Sequence, residues 1–376
     1  MQEEIKMIKK NKTWELVDYP NDKEIIGVKW VYKPKLYSDG SIQKHKARLV
    51  AKGYSQKYGV DYNETFAHVA RLDTIRALVA LAAQKKWHIH QLDVKSTFLN
   101  GYLEEEIYVE QPQGFVIPGK EDKVLKLKKA LYGLKQAPRA WYSRIDEYYT
   151  SHEFRRSKSE PTLYIKTQSN NILIVSLYVD DLIYTGNNEK MMKEFKEDMM
   201  KTFEMTDLGL MHYFLGIEIN QEKSGIFVSQ KKYTESLLKK FKMSECKPVA
   251  TPLVTNEKFR KEDGSNKADV SIYRSLIGSL LYLTATRPDI MYATSLLSRF
   301  MQNPTQVHYG AAKQILRYLQ GTKDYGIWFK PTDKSILIGY TDSDWAGSMD
   351  DMKMLLNHLQ KQNTSQQLLQ PVKLYG

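Results

Sequence analysis

The sequence predicts an α/β fold of the α+β kind, and three observations carry that expectation. The segment 172–186, ILIVSLYVDDLIYTG, is rich in β-branched and aromatic residues and runs into a Gly-Asn-Asn turn signal. It reads as two short strands joined at or near Asp180 and Asp181. Residues 44–52 alternate cationic and apolar side chains, the period of a half-buried strand. After residue 270 the pattern turns helical, with runs at about 272–285, 288–301 and 305–320 punctuated by proline and glycine.

In 44–52, Lys44, Lys46, Arg48 and Lys52 share one strand face, while Ala47, Leu49 and Ala51 share the other. One face carries charge and the other packs, although an ordinary solvated face fits cationic alternation equally well. Residues 87–95, WHIHQLDVK, read as a further strand with Asp93 toward its end. His88 and His90 alternate along it without other ligands nearby, which reads as structural. In 131–141, LYGLKQAPRAW, Gly133 permits a close backbone approach and Pro138 suits the first turn of a following helix. Residues 229–241 place Tyr233, Leu237, Leu238 and Phe241 on one helical face with lysines around it. The stretch 247–269 is polar and proline-interrupted, a linker by composition.

The chemistry gathers on the carboxylates. Two adjacent ones at the turn of a buried strand repel each other and lose hydration unless a cation sits between them. A surface hairpin cap is the alternative for Asp180 and Asp181 taken alone. Asp93 has a similar setting, and converging strand ends suit Mg²⁺, which takes oxygen ligands and keeps positions for water and substrate phosphate. Two such ions about 3.5–4 Å apart would activate an attacking hydroxyl and stabilise the leaving oxygen of an in-line phosphoryl displacement.

Composition agrees with a polyanionic partner. The formal charge is +12 and the pI about 9.2, which suits a protein that follows a phosphate backbone but also many that do not. At 376 residues the chain is long enough for two or three domains. The single cysteine, Cys246, excludes an intramolecular disulfide and any cysteine-rich zinc module, and fits a reducing compartment. Residues 1–10 lack the apolar core of a signal peptide, and no apolar run approaches the ~20 residues of a membrane span. A soluble protein that is not secreted is expected.

Longer phrases narrow the reading. KARLVAKGYSQ (46–56), QLDVKSTFLNG (91–101), LKKALYGLKQAPRAWY (127–142), YVDD (178–181) and YFLGIEI (213–219) follow one another in order, then RSLIGSLLYLTATRPDI (274–290) and YTDSDWAG (340–347). In these the chain resembles a copia-type LTR retrotransposon Pol polyprotein, in its reverse transcriptase region with the start of RNase H. The resemblance covers nearly everything from about Thr13 to Asp351. It implies a right-hand polymerase of fingers, palm and thumb with an antiparallel palm sheet over residues 12–246. A linker and helical connection would follow over 247–335, a truncated RNase H-like start over 336–351, and an aberrant tail over 352–376.

The implied activity is RNA-directed DNA synthesis, nucleotidyl transfer from a deoxynucleoside triphosphate to a primer 3′-hydroxyl with two Mg²⁺ or Mn²⁺ ions. An RNA template and a DNA primer are the implied partners, in a cytoplasmic virus-like particle or the nucleus. The resemblance makes Asp93 and Asp180 the metal-holding catalytic carboxylates, has Asp181 complete the cluster, and puts Val94 in the metal site. Phe98, five positions after Asp93, matches the family's sugar-discriminating aromatic, whose ring leaves no room for a 2′-hydroxyl. A plain core role is its alternative. Lys46 and Arg48 become candidates for the triphosphate, and Gly133, Lys135 and Gln136 for the nucleotide. Tyr178, Phe214, Leu215 and Gly216 fall on the primer–template side, with Gly216 admitting the primer backbone.

Some residues depart from the family pattern. His68 stands where the family usually carries proline, a change expected to cost local rigidity. Residues 336–345 resemble the first strand of an RNase H domain led by Asp342, yet no Asp or Glu follows Asp351. Cleavage of the RNA strand is therefore not expected, and 352–376 reads as out-of-frame or mis-joined sequence. No protease-like or integrase-like pattern precedes NKTWELVDYP. These ragged ends support a second reading, a non-catalytic nucleic-acid-binding remnant of a degraded element, while the carboxylates favour the enzyme.

Overall fold

The computed structural model describes residues 1–36, 41–254, 257 and 259–331. The chain divides into two compact units, one from Met1 to Met211 and one beginning at His212. The domain boundary expected at 246–247 falls inside the second unit. The RNase H-like start with Asp342 and the tail 352–376 lie outside the described residues.

Helix α1 (Gln2–Lys10) carries Glu3 and Glu4 in its first turn and Lys9 and Lys10 in its last, charges that complement the helix dipole. It buries Ile5 and Ile8. Strands β1 (Trp14–Val17) and β2 (Ile25–Ile26) precede a long antiparallel pair, β3 (Val28–Leu36) and β4 (Ile42–Ala51), with Val31 opposite Arg48 and Lys33 opposite Lys46. The alternation in 44–52 is present: Leu49 and Ala51 are buried and Lys44 is exposed. Helix α2 (Leu72–Lys85) ends on the left-handed Lys86 and leads into β5 (Ile89–Val94), the strand that carries Asp93. Strands β6 (Tyr102–Val109) and β7 (Val124–Lys129) complete a four-stranded sheet of order β1-β7-β6-β2.

Helix α3 (Ala137–Ser151) begins with Pro138 in its first turn, where the missing N–H has no helical partner to lose. Then come β8 (Arg155–Arg156), β9 (Leu163–Gln168), β10 (Asn171–Tyr178), β11 (Asp181–Gly186), α4 (Glu189–Thr202) and β12 (Met205–Leu210). The central sheet runs β12-β5-β11-β10-β9-β8, and each neighbouring pair is antiparallel. Leu92, Val175, Leu177 and Leu182 of this sheet form one core with Trp141, Tyr142 and Ile145 of α3 and with Phe195 and Met199 of α4. Each such side chain contributes about 1.5–3 kcal/mol on burial, so the core can hold half-buried carboxylates at the strand ends.

The second unit opens on three strands, β13 (Tyr213–Phe214), β14 (Ile217–Glu222) and β15 (Gly225–Ser229). Helices α5 (Lys231–Lys240), α6 (Val270–Leu283), α7 (Met291–Ser298) and α8 (Gln306–Gly321) follow, and β16 (Gly326–Phe329) returns to pair with β15. Among the described residues this sheet has the order β13-β14-β15-β16. The three expected helical runs are present, the middle one entered through a 3₁₀ turn at Pro288–Ile290. Leu237 and Leu238 of α5 are buried in a core with Leu276, Leu280, Leu297, Ile315 and Leu316. Asp269 caps α6, accepting from the Ile272 amide, and Thr305 caps α8 in a reciprocal pair with His308. The Arg287 guanidinium, 2% exposed, is forked onto Asp289 and also donates to the Thr322 carbonyl and hydroxyl, which offsets its desolvation. Among the described residues no helix is long and apolar enough to cross a membrane.

Candidate active site

Register places the carboxylates. Tyr178 pairs with Asp181 in the β10–β11 hairpin, so Val179 and Asp180 alone form the turn. On its other side β11 lies against β5, with Asp181 directly opposite Asp93. Directly opposed residues of adjacent strands share a face, so Asp93 and Asp181 leave the sheet together. The Val94 amide donates to the Asp180 carbonyl at 2.8 Å and ties the turn to the end of β5. Val179 has φ +55°, a left-handed conformation that is costly for a β-branched residue. Its carbonyl accepts from the indole N–H of Trp141 at 2.7 Å, and Trp141 is buried on α3.

Asp93, Asp180 and Asp181 are all half-buried. Burial pushes the Asp181 carboxyl up, a hydrogen bond from Gln91 pulls it down, and the charges of Asp180 and Asp93 push it up again. The Gln91 amide donates to Asp181 Oδ1 at 2.8 Å, a contact that nothing in the local pattern QLDVK signals. A donor set made of mutually repelling oxygens suits a hard divalent cation. Among the described residues, however, no group of three or more His, Cys, Asp or Glu side chains is placed so that it could hold a metal ion. Asp93 and Asp181 share a face and Asp180 adds to their field, without a completed coordination shell. Val94 can offer only its carbonyl, since its side chain is a hydrocarbon, and that carbonyl already accepts from Thr97 Oγ1 at 2.9 Å, leaving one lone pair.

Phe98 sits in a 3₁₀ turn, Thr97–Asn100, half-buried against two of the first unit's hydrophobic clusters. It meets Tyr132 edge-on, with ring centroids 5.1 Å apart. The Arg48 guanidinium lies over the same Tyr132 ring at 4.8 Å. Burial pushes the Tyr132 phenol up to about 12, and the charges of Arg48, Glu4, Asp180 and Asp93 also act on it. Arg48, Tyr132 and Phe98 are therefore a contiguous row within the field of the carboxylates. Tyr132 received no role from the sequence; its one signal was an aromatic ring beside the motif glycine. Glu4 of α1 supplies an internal counter-charge to the cationic strand: burial pushes its carboxyl up, while the Leu49 backbone, Lys46 and Arg48 pull it down.

The remaining nucleotide candidates are engaged within the fold. Gly133 has φ +90°, and a β-carbon there would run into the Ala51 carbonyl and the Val50 side chain, so its packing on β4 requires glycine. Gln136 is 2% exposed; its Nε2 donates to the Asp61 carbonyl at 2.8 Å and its Oε1 accepts from Gln56 Nε2 at 3.0 Å. The Lys135 amide donates to Gln56 Oε1 at 2.8 Å, and its Nζ donates to the Gln56 carbonyl at 3.1 Å and the Tyr62 hydroxyl at 3.2 Å. These contacts fasten the loop 53–62 to the 131–138 segment. The sequence pattern showed polar reach and not its direction.

A family model described as Reverse transcriptase (RNA-dependent DNA polymerase) matches residues 11–255. The chain belongs to the reverse transcriptase family. It is 43% identical over 342 residues to the Retrovirus-related Pol polyprotein from transposon RE2 of Arabidopsis thaliana, covering 91% of this chain and 24% of that protein. It is 44% identical over 370 residues to the Retrovirus-related Pol polyprotein from transposon TNT 1-94 of Nicotiana tabacum, covering 96% of this chain and 28% of that protein. The chain spans about a quarter of the length of these curated relatives. The copia-type resemblance read from the sequence is borne out.

In the second unit of this reverse transcriptase family member, Phe214 is 1% exposed and belongs to the core. Leu215 and Gly216 form the two-residue turn between β13 and β14, both left-handed at φ +48° and +78°. A β-carbon on Gly216 would run into the hydroxyl of Tyr282, so a side chain of the same unit already occupies the space that the sequence reading gave to a primer. Tyr178, at the end of β10, pairs with Asp181 beside the carboxylate turn.

Proposed function

We propose that this reverse transcriptase region carries out RNA-directed DNA synthesis, joining a deoxynucleotide to the 3′-hydroxyl of a DNA primer on an RNA template. The observation that carries the reading is the register that sets Asp93 against Asp181, with Asp180 in the adjoining turn and bonded through its backbone to Val94. Asp93 and Asp180 would hold two Mg²⁺ or Mn²⁺ ions, Asp181 would complete the negative cluster, and the Val94 carbonyl is a further oxygen donor. Bound there, the ions would favour ionisation of the 3′-hydroxyl and stabilise charge on the leaving phosphate.

The chain's own groups supply position and discrimination. Gln91 fixes the Asp181 carboxylate, and Trp141 fixes the turn that carries Asp180. Phe98, braced edge-on by Tyr132, would exclude a 2′-hydroxyl by overlap. Arg48 and Lys46 would meet the triphosphate, with Glu4 tempering their charge. Gly133, Lys135 and Gln136 act through the loop they hold. The formal charge of +12 supports an extended phosphate partner whose affinity falls with salt. Such a substrate places the activity inside the cell, in a cytoplasmic particle or the nucleus.

The test is primer extension by the purified chain on an RNA template with Mg²⁺ or Mn²⁺. Asp93→Asn and Asp180→Asn should each abolish extension while circular dichroism and melting stay those of a folded protein. Extension by either variant at the unmodified rate would refute the assignment.

A further inference from the structure

The Leu215–Gly216 turn is unusual for its handedness and its sequence. A two-residue hairpin turn with both residues at positive φ favours Asn-Gly or Asp-Gly, because most side chains resist that conformation. Leucine at the first position is strained in that conformation. Something in the unit must hold it, and the contacts identify what does. The Tyr282 hydroxyl, from α6, donates to the Leu215 carbonyl and stands over Gly216 where any side chain would collide with it. The Tyr282 ring is braced in turn by Tyr233 of α5, T-shaped at 4.7 Å. Gly216 is thus required twice over, by its positive φ and by Tyr282, 66 residues later in the chain.

The same hairpin presents a second face. Tyr213, opposite Glu218 in the β13–β14 pair, is 50% exposed, and the Lys232 ammonium lies 5.9 Å from its ring centroid. Glu218 accepts from the Lys232 amide at 2.8 Å, at the start of α5. One strand end therefore buries Phe214 and shows an aromatic ring with a cation beside it, chemistry suited to a sugar–phosphate backbone. The turn that sets this ring's position is the turn that Tyr282 grips.

We infer that Tyr282 is a positioning residue for the primer strand: its hydroxyl locks the Leu215–Gly216 turn and so fixes the Tyr213 and Lys232 face that receives the nucleic-acid backbone. This rests on reading the hairpin as the primer-holding element. The phrase GSLLYLTATRPDI, otherwise only part of a helical connection, gains a role at its tyrosine.

The experiment pairs Tyr282→Phe with a labelled DNA primer annealed to an RNA template, read by fluorescence anisotropy, and with single-nucleotide extension on the same hybrid. Removing one hydroxyl should raise the hybrid Kd about two- to tenfold, the loss of a single hydrogen bond, and leave the KM for the nucleotide unchanged. Hydrogen exchange at the Ile217 amide should quicken. Gly216→Ala should weaken hybrid binding strongly in the unmodified chain and less in the Tyr282→Phe background, where the collision with the hydroxyl is gone and the strain of a side chain at positive φ remains. An unmodified chain that extends the primer alongside a Tyr282→Phe variant with the same Kd overturns this inference alone. So does a Tyr282→Phe effect confined to the nucleotide KM. An unmodified chain that neither binds nor extends the hybrid overturns the polymerase reading, and this inference with it.

Discussion

Trp141→Phe isolates the device that holds the carboxylate turn. The indole N–H is the donor to the Val179 carbonyl, and phenylalanine keeps a ring in the α3 core while deleting that donor. A carbonyl left without its partner costs about 1–3 kcal/mol. Val179, left-handed at φ +55°, adds a strain of about 1–2 kcal/mol that the bond was opposing. The Val94 amide reports on the result, because it donates to the Asp180 carbonyl in the same turn. Taking 1–3 kcal/mol as the loss, the turn should open about 5- to 150-fold more often, and Val94 hydrogen exchange should quicken by that factor. The Tyr164 amide, on β9 farther along the sheet, should quicken far less. Adding Val179→Gly, which accepts positive φ without strain, should recover part of the protection. Unchanged Val94 exchange in Trp141→Phe, or an equal increase across the whole sheet, would refute this account.

Four further outcomes are expected. Phe98→Val should raise the ratio of ribo- to deoxynucleotide kcat/KM by at least about tenfold, roughly 1.4 kcal/mol in differential binding, whereas an unchanged ratio with normal synthesis would leave Phe98 a core residue. Gln136→Leu strands the Asp61 carbonyl and the Gln56 amide in a buried site and should cost about 2–5 kcal/mol by chemical denaturation; a change below about 0.5 kcal/mol would mean the bridge is not formed. Hydrogen bonds from Ser265 and Thr305 hold Asp263 at about 2, below its ordinary 3.8. The unfolded chain therefore binds the proton first, so this stabilisation is full above about pH 4 and is lost as the pH falls toward 2, a slope that Asp263→Ala should flatten in acid melts of the second unit. Asp181→Asn, measured in chelator at neutral pH, should melt higher than the unmodified chain, and a lower melting point would contradict the repulsion assigned to it.

What the sequence disclosed and what it withheld divide along a physical line. Asp93, Asp180 and Asp181 were legible because an apolar strand that ends in carboxylates is a local pattern, and the three helices after residue 270 were legible because their period and punctuation are local too. Helix α1 was not, since Ile5 and Ile8 are its only buried apolar residues, and its stability comes from packing rather than from propensity. The direction of Lys135 and Gln136 was hidden for a related reason. Polar residues beside a glycine look alike whether they face a ligand or, as here, a glutamine 79 or 80 positions earlier. Gly216 shows the same limit, because a sequence can require that a side chain be absent without naming Tyr282 as the cause. Trp141 and Val179, 38 residues apart, share a hydrogen bond that no periodicity encodes.

The expected gain from Asp181→Asn follows from how this site is held. Burial and the charges of Asp180 and Asp93 make the ionised Asp181 unfavourable in the folded chain, so above the ordinary carboxylate range it subtracts from stability rather than adding to it. Asparagine keeps an Oδ1 for the Gln91 amide and removes the charge, leaving the contact that orients the group while deleting the repulsion. The bonds that oppose the repulsion are each modest, about 0.5–1.5 kcal/mol net from Trp141 and from the Val94 amide and about 1.5–3 kcal/mol from Gln91 to the carboxylate, so none alone could hold three carboxylates together. The fold holds them by summing several such bonds over a buried sheet. A site arranged in this way trades stability for chemistry, and a substitution that relaxes it should strengthen the fold as it weakens the proposed polymerase activity.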